Sequence, residues 1–115
     1  MKVTELMIGD WVNIHGENWR ATLATLQLAY DNPNLIKPIP LTVEILEKNG
    51  FIGKIAISGS SIYFYPLNDK VYLYKNGVYA IGENVWQDVY LTDCEYVHQL
   101  QHILKDLQIE KEIVL

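Results

Sequence analysis

The sequence contains only one cysteine, Cys94, so it can form neither an intrachain disulfide nor a cluster of thiolate ligands around a metal ion. It has no apolar run near the roughly 20 residues that a membrane-spanning helix needs. Residues 1–10 contain no long apolar stretch followed by a small-residue cleavage site, so they do not predict a secretory signal. We therefore expect a cytoplasmic protein that does not enter a membrane.

Positive charge is also scarce, since 9 Lys and Arg residues stand against 14 Asp and Glu residues, giving a net charge of -5. An acidic surface repels a polyanion, and this argues against nucleic acid as a partner. Half of the 115 residues are hydrophobic, which supplies a core without disulfides or structural metal. We expect one α+β domain over residues 1–115, with no cofactor.

The N-terminal part, residues 1–40, predicts short strands like the opening of an SH3-like barrel, because a Gly9-Asp10 turn leads into a β-rich segment. The run 19–30 fits both helical and alternating spacing. We predict a strand there, because the run contains two threonines, has an aromatic residue near each end and is followed by an Asn-Pro-Asn turn.

The second part, residues 41–115, opens with a predicted short helix. Thr42 is a suitable N-cap, and Gly50 stands where a left-handed C-terminal residue belongs. Phe51 can then fold back onto Leu46 in a Schellman ending.

An antiparallel meander is predicted next, since β-rich runs alternate with turn residues at regular intervals. Its strands are expected at about 52–57, 61–65, 70–75, 78–82 and 85–91. Asn76-Gly77 favours a two-residue type I′ turn, which would pair Tyr74 with Tyr79 and Tyr72 with Ile81.

A C-terminal helix is predicted to begin at the capping-box pattern formed by Thr92 and Glu95. Its apolar stripe predicts that it packs on a sheet face; the stripe consists of Val97, Leu100, Ile103, Leu104 and Leu107. The tail, 109–115, predicts a final edge strand, which leaves homodimer formation open.

Two histidines, His98 and His102, stand one helical turn apart and could share a metal ion, as in the zinc-protease motif His-Glu-x-x-His. Gln99 replaces the glutamate that acts as general base in that motif. Both histidines lie nearly opposite Leu100 on a helical wheel, so we expect them to face solvent rather than to form a metal site. Glu95 or a neighbouring subunit would have to supply a further ligand.

The tyrosines are the stronger candidate, because the predicted hairpin places Tyr72, Tyr74 and Tyr79 on one face, while Tyr63 and Tyr65 share one side of an adjacent strand. Such rings could form an interaction surface for a protein partner. The alternative is the ordinary packing of tyrosine on a half-buried sheet.

Cys94 is predicted in the first turn of the C-terminal helix, where free N–H groups can lower the pKa of a thiol. Asp93 and Glu95 oppose thiolate formation, so we expect an inert cysteine.

Three segments together, 6–12 (LMIGDWV), 38–51 (PIPLTVEILEKNGF) and 96–101 (YVHQLQ), resemble a family of small uncharacterised bacterial proteins from gut anaerobes and their mobile elements. Members of that family often carry Glu at the position of Gln99 and need not carry a second histidine. The resemblance therefore implies neither a function nor a metal role for His102.

No set of residues predicts catalysis, so the leading hypothesis is a non-catalytic accessory or interaction protein with a protein partner. The alternatives are a metal-dependent hydrolase using His98 and His102, and a nucleic-acid-associated protein of a mobile element.

Overall fold

The computed structural model describes residues 6–58, 60–81 and 88–115, without the side chains of residues 56–58 and 60–62. Its contacts divide the chain into two units. The first consists of residues 1–40, 96–113 and 115, and the second of residues 41–95 and 114. The C-terminal helix thus groups with the N-terminal strands, whereas the sequence had suggested grouping it with the meander.

Three short antiparallel strands form the sheet of the first unit: β1 (Trp11–Ile14), β2 (Glu17–Arg20) and β3 (Ile36–Lys37), in the order β2-β1-β3. A tight turn joins β1 to β2, and its central residues, His15 and Gly16, have φ angles of 52° and 83°. Such left-handed pairs suit the twist of two-residue hairpins. The N-terminal strands are confirmed, while the likeness to an SH3 barrel stays a prediction.

The strand predicted at 19–30 is wrong for most of its length, because helix α1 spans Leu23–Asp31. Thr22 caps this helix: its Oγ1 accepts a hydrogen bond from the N–H of Thr25 at 3.3 Å, and its own N–H donates to Oγ1 of Thr25 at 3.1 Å. The threonines that favoured a strand therefore act as a reciprocal cap. Local hydrogen bonding at the first turn overrides their β propensity.

The core of the first unit joins α1 to the sheet through four buried side chains, Leu6, Val12, Ala29 and Ile36. The C-terminal helix, α3 (Val97–Asp106), packs against β1, which confirms that it lies on a sheet. It starts later than predicted, since Thr92 belongs to a strand and pairs with Val78. The N–H of Tyr96, the residue before α3, instead donates to Oε1 of Gln99 at 3.1 Å.

The predicted C-terminal edge strand is wrong, because residues 109–115 form no strand. Ile113 is buried, and its carbonyl oxygen accepts hydrogen bonds from Nε1 of Trp11 at 2.7 Å and Nη2 of Arg20 at 3.0 Å. Arg20 also forms an ion pair with Glu112 at 2.6 Å. Side chains of β1 and β2 thus take the main-chain acceptor that a neighbouring strand would otherwise use.

The second unit opens with helix α2 (Val43–Lys48), which begins and ends as predicted. Oγ1 of Thr42 accepts a hydrogen bond from the N–H of Ile45 at 3.3 Å. Gly50 has a φ angle of 81°, and the N–H of Phe51 reaches the carbonyl of Leu46 at 3.0 Å. The Schellman ending is therefore confirmed.

The rest of the second unit is a five-stranded sheet whose strands follow one another in chain order, all antiparallel, which confirms the meander. Its strands are β4 (Lys54–Ser58), β5 (Ser60–Pro66), β6 (Val71–Tyr74), β7 (Gly77–Ala80) and β8 (Val89–Asp93). The predicted strands at 78–82 and 85–91 include residues 82 and 85–87, which lie outside the described residues.

The β6–β7 hairpin is confirmed, but its predicted register is wrong by one residue in each strand. Lys75 and Asn76 form the turn, with φ of Lys75 at 52°, and Gly77 already belongs to β7. Tyr72 therefore pairs with Tyr79, and Tyr74 with Gly77. Because both strands shift together, the three tyrosines still share one face.

Replacement of Thr22 by alanine removes the cap of α1 and should cost about 1 kcal/mol of unfolding free energy. Thr92→Ala is the matched control: Thr92 lies exposed in β8 and caps no helix, so its loss should cost about 0.5 kcal/mol or less. Urea unfolding followed by far-ultraviolet circular dichroism measures both. A larger loss for Thr92→Ala than for Thr22→Ala would contradict these helix boundaries.

Candidate functional site

A tight turn at residues 7–10 buries the carboxylate of Asp10, which is 3% exposed. The N–H of Asp10 donates to the carbonyl of Met7 at 3.1 Å, and Oδ2 of Asp10 accepts from the N–H of Met7 at 2.8 Å. Gly9, with a φ angle of 96°, permits this reversal. The turn is tied to Ala21, whose N–H donates to the carbonyl of Asp10 at 2.7 Å.

The same Oδ2 lies 2.7 Å from Nε2 of His102 on α3. An ionised carboxylate can only accept hydrogen bonds, so Nε2 of the ring carries the proton in this contact. In the neutral form of the imidazole, Nδ1 is then the hydrogen-bond acceptor. The carboxylate therefore fixes both the orientation and the tautomer of the imidazole.

Gln101, the neighbour of His102, ties α3 to the same backbone. Its Oε1 accepts from the N–H of Trp11 at 2.8 Å, and its Nε2 donates to the carbonyl of Gly9 at 3.1 Å. Residues 101 and 102 thus hold the start of β1 through three hydrogen bonds. These hydrogen bonds bring the 7–10 turn and the start of β1 against the side of α3 that carries Gln101 and His102.

A cleft of about 820 Å³ opens beside the Asp10–His102 pair, among the 7–10 turn, the end of α3 and the tail. Its walls carry charges of both signs, Lys105 and Lys111 against Glu110 and Glu112. None of the described residues that line the cleft is a serine, threonine or cysteine. The pair is therefore an oriented imidazole whose described surroundings supply amines and carboxylates but no hydroxyl or thiol for it to activate.

The prediction that both histidines face solvent is wrong for His98, which is 2% exposed. Its ring stacks on that of Tyr96 with centroids 5.9 Å apart, and it meets the ring of His102 edge-on at 5.8 Å. A helical wheel measured from Leu100 cannot show that other parts of the chain cover the polar side of α3. Glu95 is exposed and belongs to the second unit.

Within the described residues, no group of three or more His, Cys, Asp or Glu side chains is placed to hold a metal ion. The metal role considered for His98, His102 and Glu95 therefore gains no support from the geometry, since a catalytic zinc site needs three protein ligands.

Cys94 does not lie in the first turn of α3, contrary to the prediction, because that helix begins at Val97. The residue follows β8, is 1% exposed and donates its N–H to the carbonyl of Asn76 at 2.7 Å. Burial raises the pKa of the Cys94 thiol to about 12. A thiol that stays protonated near neutral pH is a poor nucleophile.

Among its described residues, the meander gathers five aromatic rings on one side, and we call them the aromatic face: Phe64, Tyr72, Tyr74, Tyr79 and Tyr90. Tyr79 is at the centre, stacked on Tyr72 at 5.6 Å and in contact with Tyr74 at 6.0 Å and Tyr90 at 5.5 Å. Phe64 meets Tyr72 edge-on at 5.3 Å. Residues directly opposite on paired strands share a face, and the pairs Tyr72–Tyr79 and Tyr79–Tyr90 account for the assembly.

Gly77 lies under this face, and it is a glycine for a steric reason. A Cβ at this position would lie 3.0 Å from the ring of Tyr90 and 3.3 Å from that of Tyr79. The two rings therefore close over the backbone of β7.

Two carboxylates hold tyrosine hydroxyls of the aromatic face. The hydroxyl of Tyr72 donates to Oδ2 of Asp88 at 2.7 Å, and that of Tyr90 donates to Oδ1 of Asp93. Burial, followed by the contact with Asp88, raises the pKa of Tyr72, and the hydrogen bond to Asp93 raises the pKa of Tyr90 to about 12. The rings are thus neutral, oriented and bordered by negative charge.

Tyr63 and Tyr65 do not belong to the aromatic face. Tyr65 pairs with Leu73, which points to the opposite side of the sheet from Tyr72. Tyr65 is buried, and burial raises its pKa to about 12. Tyr63 contacts Tyr65 edge-on at 5.3 Å, and its hydroxyl lies over Gly53.

Sequence reasoning missed four participants, Phe64, Tyr90, Asp88 and Asp93. Tyr90 lay within the predicted strand 85–91, but its partner depends on the β7–β8 register, which is shifted by an irregularity between Val78 and Tyr79. No spacing rule predicts such a bulge.

Comparison with protein-family models, with curated proteins and with solved structures found no match for this chain. None of the helices within residues 6–58, 60–81 and 88–115 has the length and apolarity needed to cross a membrane.

Asp10→Ala should lower the unfolding free energy by about 2 kcal/mol, because it leaves the N–H of Met7 and the ring of His102 without their acceptor. Asp106→Ala, at an exposed aspartate of α3, is the matched control and should change it by about 0.5 kcal/mol or less. Urea unfolding of both variants measures the difference. Equal effects would show that the Asp10–His102 contact does not anchor the turn.

Proposed function

We propose that this protein is a non-catalytic interaction protein that binds a protein partner through the aromatic face. The observation that carries the proposal is the cluster of five rings on one side of the meander, joined by contacts through Tyr72 and Tyr79. Three of its members, Tyr72, Tyr74 and Tyr79, are half-buried, and Tyr90 is 50% exposed. A partner would therefore find aromatic area that is already ordered but still accessible.

Aromatic side chains carry much of the binding energy in protein interfaces because they bury a large area at a small cost in side-chain entropy. Here that cost is reduced further, since Asp88 and Asp93 already hold the hydroxyls of Tyr72 and Tyr90. These contacts support a binding role because they hold the two rings in place before a partner arrives.

The charge of the aromatic face favours protein over nucleic acid. Base-stacking surfaces combine aromatic rings with basic residues that follow the phosphate backbone. The described border of this face instead carries Asp88 and Asp93, with Lys75 as its nearby cation, and the whole chain has a net charge of -5. A polyanion would be repelled from such a surface.

A hydrolase centred on His102 is the rival, and the observation that favours it is the Asp10–His102 pair beside the cleft. The described lining of the cleft offers no serine, threonine or cysteine for His102 to activate, and the described residues assemble no metal-binding triad. The hydrogen bonds of Gln101 and Asp10 give the pair a sufficient role in holding α3 to β1.

The cellular setting belongs to the same proposal. A single cysteine, buried as a neutral thiol, fits a reducing cytoplasm. Membership in the family of small bacterial and mobile-element proteins is part of the proposal too, and it rests on the three segments described above.

A library of random peptides selected against the folded protein tests the proposed surface. Binders should lose at least about tenfold in affinity on Tyr74→Ala or Tyr90→Ala, because each change removes a ring from the aromatic face. Tyr30→Ala is the matched control. Tyr30 is 73% exposed on α1 and belongs to the first unit rather than to the meander, so its loss should leave affinity unchanged.

Melting temperatures within a few degrees of the wild type establish that the three variants are folded. A selection that yields no binder counts against the proposal. The proposal is overturned if Tyr30→Ala lowers the affinity of the selected peptides as much as Tyr74→Ala does, or if neither substitution lowers it.

A further inference from the structure

Strand β8 is one edge of the five-stranded sheet, and all five of its residues are exposed. Val89, Tyr90 and Leu91 are large apolar residues with about half of their surface accessible. Natural proteins shield apolar edge strands, because the free N–H and C=O groups invite another strand. Within the described part of the chain, β7 is the only strand that pairs with β8.

We infer that β8 receives an extended segment of a partner protein as a sixth strand, and that this segment carries lysine or arginine on the side next to the aromatic face. This inference rests on the proposed function and specifies the form and charge of the partner. Main-chain hydrogen bonds would supply affinity, and alternate side chains would supply specificity.

The carboxylates at the two ends of β8 argue against a second copy of this chain as the added strand. Asp88 stands just before the strand, and Asp93 is its last residue. A parallel in-register copy would bring each aspartate next to its own equivalent, and an antiparallel copy centred between Tyr90 and Leu91 would bring Asp88 next to Asp93. Like charges directly opposite destabilise a strand pair, so both of these registers are disfavoured.

The same carboxylates favour a basic segment, and the chain itself shows that the aromatic face accepts a cation. Nζ of Lys75 lies 5.4 Å from the centre of the Tyr74 ring. Ammonium and guanidinium groups are attracted to aromatic ring faces at such distances. A lysine of the partner beside Tyr90 would meet both a ring and the carboxylate of Asp93.

Strand geometry then gives the sequence pattern of the partner. Tyr90 shares its face with Tyr79, whereas Val89 pairs with Ala80 on the opposite side of the sheet. An added strand alternates in the same way next to Val89 and Tyr90, so a basic residue would fall beside Tyr90 and an apolar residue beside Val89. The extra residue of β8, Leu91, interrupts this alternation after Tyr90. The expected segment therefore places lysine or arginine next to valine or isoleucine where it passes Val89 and Tyr90.

A labelled peptide that alternates lysine and valine over the length of β8 is the probe, and fluorescence anisotropy at low salt measures its affinity. Two control peptides each change one property: glutamate replaces every lysine, or alternate backbone nitrogens are methylated. Each control should bind at least about tenfold more weakly, through lost charge attraction or lost main-chain hydrogen bonds. Hydrogen exchange of residues 89–93 should slow when the lysine peptide binds.

Two protein variants complete the test. Asp93→Asn should weaken binding of the lysine peptide several-fold, since it removes a carboxylate beside the added strand. Glu17→Gln, at an exposed residue of β2 in the first unit, is the matched charge control and should leave binding unchanged.

The outcomes separate this inference from the proposed function. Suppose that Tyr74→Ala and Tyr90→Ala weaken peptide binding, but that the methylated peptide binds as tightly as the lysine peptide and hydrogen exchange in β8 is unchanged. The aromatic face then binds without strand addition, so this inference fails while the proposed function stands. If the lysine peptide does not bind, or the glutamate peptide binds as tightly, the basic partner is excluded. Sedimentation showing a dimer that Leu91→Lys dissociates would replace the partner by a second copy.

Discussion

The left-handed turn at Lys75 is the constraint on which the candidate surface depends. It ends β6 at Tyr74 and starts β7 at Gly77, so Tyr72 comes to lie opposite Tyr79. With this register the smallest residue, Gly77, lies where the rings of Tyr79 and Tyr90 close over the backbone. If only one of the two strands shifted by one residue, its tyrosines would turn to the other side of the sheet and the aromatic face would be divided.

Much of this architecture follows from local rules that can be applied to the sequence. Thr42 and Gly50 predicted both ends of α2, and regular turn signals predicted the meander. The side of the sheet on which the hairpin tyrosines lie was also predictable. A shift of one residue in both strands at once changes which residues pair but leaves these side chains on a common face. Helix α1 was not, since the run containing Thr22 fits two periodicities, and only the reciprocal bonds with Thr25 decide between them.

Long-range contacts explain why the candidate site itself was predicted only in part. The partners Asp10 and His102 are 92 positions apart, and neither lies in a pattern that points to the other. The same is true of Gln101, which the sequence presents only as a departure from a zinc-protease motif, although its amide holds the backbone of Gly9 and Trp11. A helical wheel describes the exposed face of an isolated helix, and it cannot describe what the rest of the chain brings against it.

Within the described part of the chain, the aromatic face of the second unit and the cleft beside His102 in the first are candidate ligand surfaces. Our proposal is that the aromatic face binds a partner and that His102 has a structural role. Ring-proton NMR shifts, recorded with and without a selected binding partner, distinguish the two most directly. We expect shifts at Tyr74, Tyr79 and Tyr90 with the ring of His102 unchanged, whereas shifts confined to His102 and the residues around it would contradict binding at the aromatic face.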